Sequence, residues 1–154
     1  MLALIIEDDQ NKRKQLCRFL DEYYSQWQVE VAESYHSGLR RVLDNPVDFV
    51  LLDMTMPTFD ISADEPGGEL KGYGGWEILE EMDRRSMCIP VIVITQFDRF
   101  GDQENALTLH ELDARLNRDY PEMYYGAVFY NSAREGWKTD LHRRIQSLLS
   151  RGGL

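Results

Sequence analysis

Five short apolar runs, each followed by a segment with helical apolar spacing, restrict this chain more than any other feature. Leu2 to Ile6, Val29 to Ala32, Phe49 to Leu52, Val91 to Ile94 and Ala127 to Tyr130 read as strands. The first intervening segment, Asn11 to Trp27, places Leu16, Phe19, Leu20, Tyr23 and Trp27 on one stripe. Ser34 reads as the N-cap of a second helix that carries Leu39, Val42 and Leu43 and stops at Asn45-Pro46. Gly75 to Arg85 and Gln103 to Arg118 read as the third and fourth helices, and Trp137, Leu141, Ile145 and Leu148 as the stripe of a fifth. Strands that are apolar on both faces must be covered on both faces. The order βαβαβαβαβα therefore predicts an α/β fold with a parallel, doubly wound sheet. The working site of such a sheet lies beyond the carboxyl ends of its strands.

The chain has 154 residues, of which 43% are hydrophobic, enough to fill one core, so a single domain over residues 1–154 is expected. Its net charge of −10 opposes binding to nucleic acid or to an anionic membrane surface. No apolar run is long enough to span a bilayer, and Met1 leads into the first strand without a basic leader. Cys17 and Cys88 have no Cys-x-x-Cys spacing, so neither a disulfide framework nor a zinc site is expected. A cytoplasmic location follows as an expectation.

The chemistry-bearing residues sit where the strands end. The first strand runs into Glu7-Asp8-Asp9 and the third into Asp53. Asp9 also suits an N-cap of the following helix, a structural role as probable on sequence grounds as a functional one. Converging carboxylates raise one another's pKa unless a cation compensates. An all-oxygen set of this kind suits a hard divalent ion such as Mg²⁺ keeping several waters.

Three segments together, Leu4-Ile5-Ile6-Glu7-Asp8-Asp9, Val50-Leu51-Leu52-Asp53-Met54-Thr55-Met56-Pro57 and Pro90-Val91-Ile92-Val93-Ile94-Thr95, resemble the receiver domain of two-component response regulators. The resemblance runs through nearly the whole chain. It implies a flavodoxin-like five-stranded sheet of order 2-1-3-4-5, with Asp53 as phosphoryl acceptor. It further implies Mg²⁺ (or Mn²⁺) held by Glu7, Asp8, Asp53 and the backbone carbonyl of Thr55, with the Thr95 hydroxyl sensing the phosphoryl group. The implied partners are a histidine kinase or phosphotransfer protein and an output protein of unknown identity, and a homodimer stays open. No enzyme activity is implied beyond self-catalysed phosphorylation and dephosphorylation.

The pattern is departed from in three places. Receivers carry a lysine at the end of the fifth strand; here Asn131, or Ser132 with a one-residue slip, takes that place. Of the four lysines, Lys12, Lys14, Lys71 and Lys138, none ends a strand, and Arg134, Lys138 or Lys71 are the substitutes weighed. The aromatic switch position falls on Phe129 or Val128. The second departure is an extended loop over residues 58–74, rich in Gly and in the acids Asp60, Asp64, Glu65 and Glu69. The third is an expanded segment over residues 98–125, where receivers build output and dimer contacts.

Three readings compete. The first is a stand-alone receiver, with no output domain, that is phosphorylated on Asp53. The second is a degenerate receiver used as a phosphorylation-independent interaction module. The third is a haloacid-dehalogenase-like phosphatase, which requires Asp-x-Asp where this chain has Asp53-Met54-Thr55.

Overall fold

The computed structural model describes residues 1–60, 70–71, 73–101, 104 and 106–152. The elements follow in order: β1 (Leu2–Ile6), α1 (Gln10–Tyr23), β2 (Gln28–Ala32), α2 (Tyr35–Asp44), β3 (Phe49–Leu52), β4 (Met56–Pro57) and β5 (Leu70–Lys71). After these come α3 (Gly74–Arg84), β6 (Val91–Thr95), β7 (Arg99–Phe100), β8 (Leu107–Thr108), α4 (Leu109–Asp119), β9 (Tyr124–Phe129) and α5 (Gly136–Ser150).

β1, β2, β3, β6 and β9 form one parallel sheet in the order β2-β1-β3-β6-β9, the expected 2-1-3-4-5 arrangement. The period-two alternation of each strand divides the core. Leu4 and Ile6, Val50 and Leu52, and Val91 and Val93 pack with Ile78, Leu79, Met82, Leu112 and Leu116, under α2, α3 and α4. Ala3 and Ile5, Phe49 and Leu51, and Ile92 and Ile94 face the other way, toward Leu16, Phe19 and Leu20 of α1 and Trp137, Leu141, Ile145 and Leu148 of α5. The inner strands are buried on both faces, which is why they read as unbroken apolar runs. Among the described residues no helix is long and apolar enough to cross a membrane.

The chain crosses from β1 to β2 on one side and returns to β3 on the other, so the sheet's switch point lies between β1 and β3. The ladder continues one step past both strands: the Asp53 amide donates to the Ile6 carbonyl (3.0 Å), and the Glu7 amide to the Ala32 carbonyl (2.9 Å). Glu7 and Asp53 therefore emerge side by side.

Two helix boundaries differ from expectation. α1 stops at Tyr23, four residues before Trp27. Trp27 keeps its place in the apolar pattern because it stacks on Tyr24 (4.4 Å between ring centroids) and abuts Phe49 from a turn. α4 starts at Leu109, well after Gln103, because Phe100 and Leu107 pair in an antiparallel ribbon of β7 and β8. Thr108 then caps α4: its hydroxyl accepts the Glu111 amide and donates to the Glu111 carboxylate, both at 3.1 Å. A second ribbon, β4 with β5, pairs Met56 with Lys71 and Pro57 with Leu70 at the base of the long loop. Asp64, Glu65 and Glu69 of that loop lie outside the described residues, whereas Asp60 accepts a hydrogen bond from Ser37 (2.7 Å).

This boundary can be tested. Thr108→Ala should cost about 1 kcal/mol of stability in urea denaturation, as loss of an N-cap does. If the helix instead began near Gln103, Thr108 would be interior and the change would be neutral or stabilising.

Candidate functional site

The site begins with a helix start. Asp9 caps α1 by accepting the Lys12 amide (2.8 Å), so here the capping role is observed. The cap sets the direction of the first turn. Helical side chains lean toward the helix N-terminus, so a residue in that turn lies back over the ends of the strands. Lys12 does so. Its side chain is only 1% exposed, and its ammonium donates to the Ile94 carbonyl at the end of β6 (2.8 Å). The same nitrogen lies 2.5 Å from Glu7 Oε2 and 3.3 Å from Asp53 Oδ1. The Glu7 contact is a charge pair rather than an aligned hydrogen bond. The Tyr130 ring flanks the ammonium, its centroid 5.8 Å away.

The carboxylates converge as their strand ends require. Glu7, Asp8 and Asp53 each offer an oxygen within 4.8 Å of the others. Glu7 and Asp53 are buried and Asp8 is half-buried. Asp53 Oδ1 accepts the Met54 amide (2.8 Å), and Glu7 Oε1 accepts the Asp9 amide (3.0 Å). Arg13 holds the backbone of this corner, donating to the Glu7 and Asp8 carbonyls (3.2 and 3.3 Å) while pairing with Glu33 (3.0 Å).

Burial raises all three carboxyls above their ordinary range. For Glu7 the charge of Asp53 adds to the rise, and Lys12 opposes it; for Asp53 Lys12 is the main opposing influence. A bound cation would favour the ionised form of these carboxyls, three formal negative charges against the one positive charge of Lys12. The donor set is all oxygen, and its charge matches a hard divalent cation such as Mg²⁺ or Mn²⁺. Thr55, two residues past Asp53, is half-buried.

Thr95 ends β6 fully buried. Its hydroxyl accepts the Phe97 amide (3.1 Å), and its carbonyl accepts the Tyr130 amide (2.8 Å). Val128 is buried and Phe129 is exposed, so the strand's outward aromatic is Phe129. Tyr130, just past the strand, is buried against Trp137 (5.1 Å between centroids) and beside Lys12.

Asn131 and the cations weighed as substitutes for the absent lysine lie as follows. Asn131 is exposed, and its side chain closes a local turn by accepting the Ala133 amide (2.9 Å). Ser132 and Arg134 are also exposed, and Lys138 pairs with Glu135 (3.2 Å). The side chain of Lys71 lies outside the described residues. Lys12 is the cation the sequence reading missed. That reading sought a charge at strand ends, whereas Lys12 reaches one from the next helix. The available signal was its position three residues after the Asp9 cap.

The wall behind Asp53 is close-fitting. The Gly75 amide donates to the Met54 carbonyl (3.0 Å), and a Cβ at Gly75 would lie 2.5 Å from the Asp53 carbonyl oxygen. Gly75→Ala should therefore destabilise the fold by roughly 1–3 kcal/mol in urea denaturation and push the Asp53 backbone outward. A neutral effect would show that α3 gives way freely.

No protein-family model matches the chain. It is 35% identical over 151 residues to the uncharacterized protein y4jR of Sinorhizobium fredii, covering 96% of this chain and 99% of that one. It is 29% identical over 152 residues to the Detocs response regulatory protein DtcB of Enterobacter cloacae, covering 96% and 100%. Among solved structures it superimposes on a CheY-like response regulator receiver domain protein from Methanospirillum hungatei with a TM-score of 0.62 (18% identity; 97% and 94% covered). It also superimposes on the response regulator TrrA of Thermotoga maritima, solved in complex with Mg²⁺-BeF, with a TM-score of 0.57 (17% identity; 93% and 97% covered). Matched along nearly its whole length by the Sinorhizobium and Enterobacter proteins, and folded as receivers fold, the chain belongs to the response-regulator receiver domains.

Proposed function

We propose that this receiver accepts a phosphoryl group on Asp53 in a Mg²⁺-dependent reaction and passes the resulting state to a partner protein. The observation that carries this reading is the convergence of Glu7, Asp8 and Asp53 within 4.8 Å at the switch point of the sheet. The complex of the Thermotoga relative with Mg²⁺-BeF supports the same choice of cation. Glu7, Asp8 and Asp53, with the Thr55 carbonyl, would hold Mg²⁺ or Mn²⁺, which supplies charge neutralisation for in-line phosphoryl transfer.

The chain's own residues then have separate tasks. Asp53 is the nucleophile and forms an acyl phosphate. Thr95 reads the product. Its hydroxyl now takes the Phe97 amide; drawn toward a phosphoryl oxygen, it gives up that bond and frees the loop carrying Phe97, which is exposed. Phe97 and Phe129 flank Thr95 on the exposed side and provide the apolar part of an output surface. The phosphoryl donor is a histidine kinase or phosphotransfer protein, the chain turns over no other substrate, and it works in the cytoplasm. A degenerate, phosphorylation-independent receiver is the second reading. The exposed Asn131 at the end of the fifth strand of the sheet favours it.

Intact-mass spectrometry after incubation with acetyl phosphate and Mg²⁺ decides between them. The expected outcome is one hydroxylamine-labile phosphoryl adduct, absent without Mg²⁺ and absent from Asp53→Asn. Persistence of the adduct in Asp53→Asn moves the acceptor elsewhere. No adduct on the parent chain favours the second reading.

A further inference from the structure

We propose that Lys12 is a catalytic residue of the acceptor site, supplying from the first turn of α1 the positive charge that the end of the fifth sheet strand lacks. This inference rests on the phosphoryl-acceptor reading and names the cation that serves it.

Three observations carry it. First, Lys12 Nζ touches the reacting group itself, 3.3 Å from Asp53 Oδ1, and is held there by the Ile94 carbonyl (2.8 Å) and Glu7 (2.5 Å). The Lys12 side chain is 1% exposed. Second, among the described side chains Arg13 is committed to two carbonyls and Glu33, Lys138 pairs with Glu135, and Arg134 is exposed. Third, Tyr130 fills the space just past β9 with a buried ring rather than a charge, and that ring lies beside the Lys12 ammonium. The strand end and the helix start thus exchange roles: the aromatic comes from the strand and the cation from the helix.

The step balances as follows. With acetyl phosphate as donor, an Asp53 carboxylate oxygen forms a bond to phosphorus as the bond from phosphorus to the acetate oxygen breaks. Acetate leaves with the electron pair, and no proton moves. The Met54 amide and Lys12 both engage Oδ1, so Oδ2 is the oxygen that attacks. From its place beside Oδ1, Lys12 offsets the negative charge on the phosphoryl group as the new bond forms.

The same contacts place Lys12 in competition with a divalent cation for Glu7 and Asp53. Removing the ammonium should therefore move metal binding and phosphorylation in opposite directions, which a merely structural role would not do. Lys12→Met is compared with the parent chain by time-resolved intact mass with acetyl phosphate at saturating Mg²⁺, by calorimetric titration of Mg²⁺, and by near-UV circular dichroism. The expected result is phosphorylation slower by about tenfold or more, with Mg²⁺ bound roughly three- to tenfold more tightly because a competing charge is gone. An unchanged rate in a folded Lys12→Met overturns the proposal and leaves the acceptor reading standing. So does weaker Mg²⁺ binding. A parent chain that takes no phosphoryl group fails the acceptor reading itself, and with it this one. If Lys12→Met does not fold, Glu7→Gln and the double variant Glu7→Gln with Lys12→Met give the same comparison with the charges balanced. The double variant must then be the slower of the two, and equal rates overturn the proposal.

Discussion

A buried ammonium between carboxylates of two strand ends is the interaction on which this site depends. Glu7 and Asp53 are carried into the protein by backbone ladders and have almost no access to water. Lys12 bridges them. Removing one partner of a buried ion pair typically costs roughly 3–5 kcal/mol, because the remaining charge stays desolvated. The corner thus couples fold and chemistry: the charge that lets the carboxylates stay buried also touches the carboxylate that would react.

The surroundings hold that arrangement by backbone more than by side chain. The Asp9 cap directs the first turn of α1, Arg13 pins the Glu7 and Asp8 carbonyls, and the Ile94 carbonyl fixes the Lys12 nitrogen from the far side of β3. On the other face Gly75 lets the start of α3 press on the Asp53–Met54 backbone. All but the Ile94 contact constrain a main-chain position, and a strand end is where the main chain is best defined.

Two short ribbons stand outside the five-stranded sheet. Each is a two-residue antiparallel pairing, β4 with β5 and β7 with β8. The ribbons are joined where the Tyr73 hydroxyl donates to the Phe100 carbonyl (2.7 Å). Gly101, at φ +93°, lies against the Tyr73 ring, where a side chain would not fit. The first strands of the two ribbons, β4 and β7, follow Asp53 and Thr95 within a few residues in sequence.

The order of elements, the doubly wound sheet and the acidic strand ends were legible in the residues, because burial on both faces imposes unbroken apolar runs and a strand's end is where polarity returns. Val50-Leu51-Leu52-Asp53 shows both facts in four letters. The Thr108-x-x-Glu111 capping pattern also stands in the residues, and the expected helix start at Gln103 passed over it. The source of the cation was not legible. Lys12 and Ile94 are 82 positions apart, and Tyr130 is further still. The place of Lys12 three residues after the Asp9 cap was the one local sign, and that place alone does not mark a lysine as buried rather than solvated. Only packing α1 across β1, β3 and β6 brings its ammonium to Asp53, since the charge a carboxylate meets is set by distance through space, and that distance exists only once the sheet is assembled.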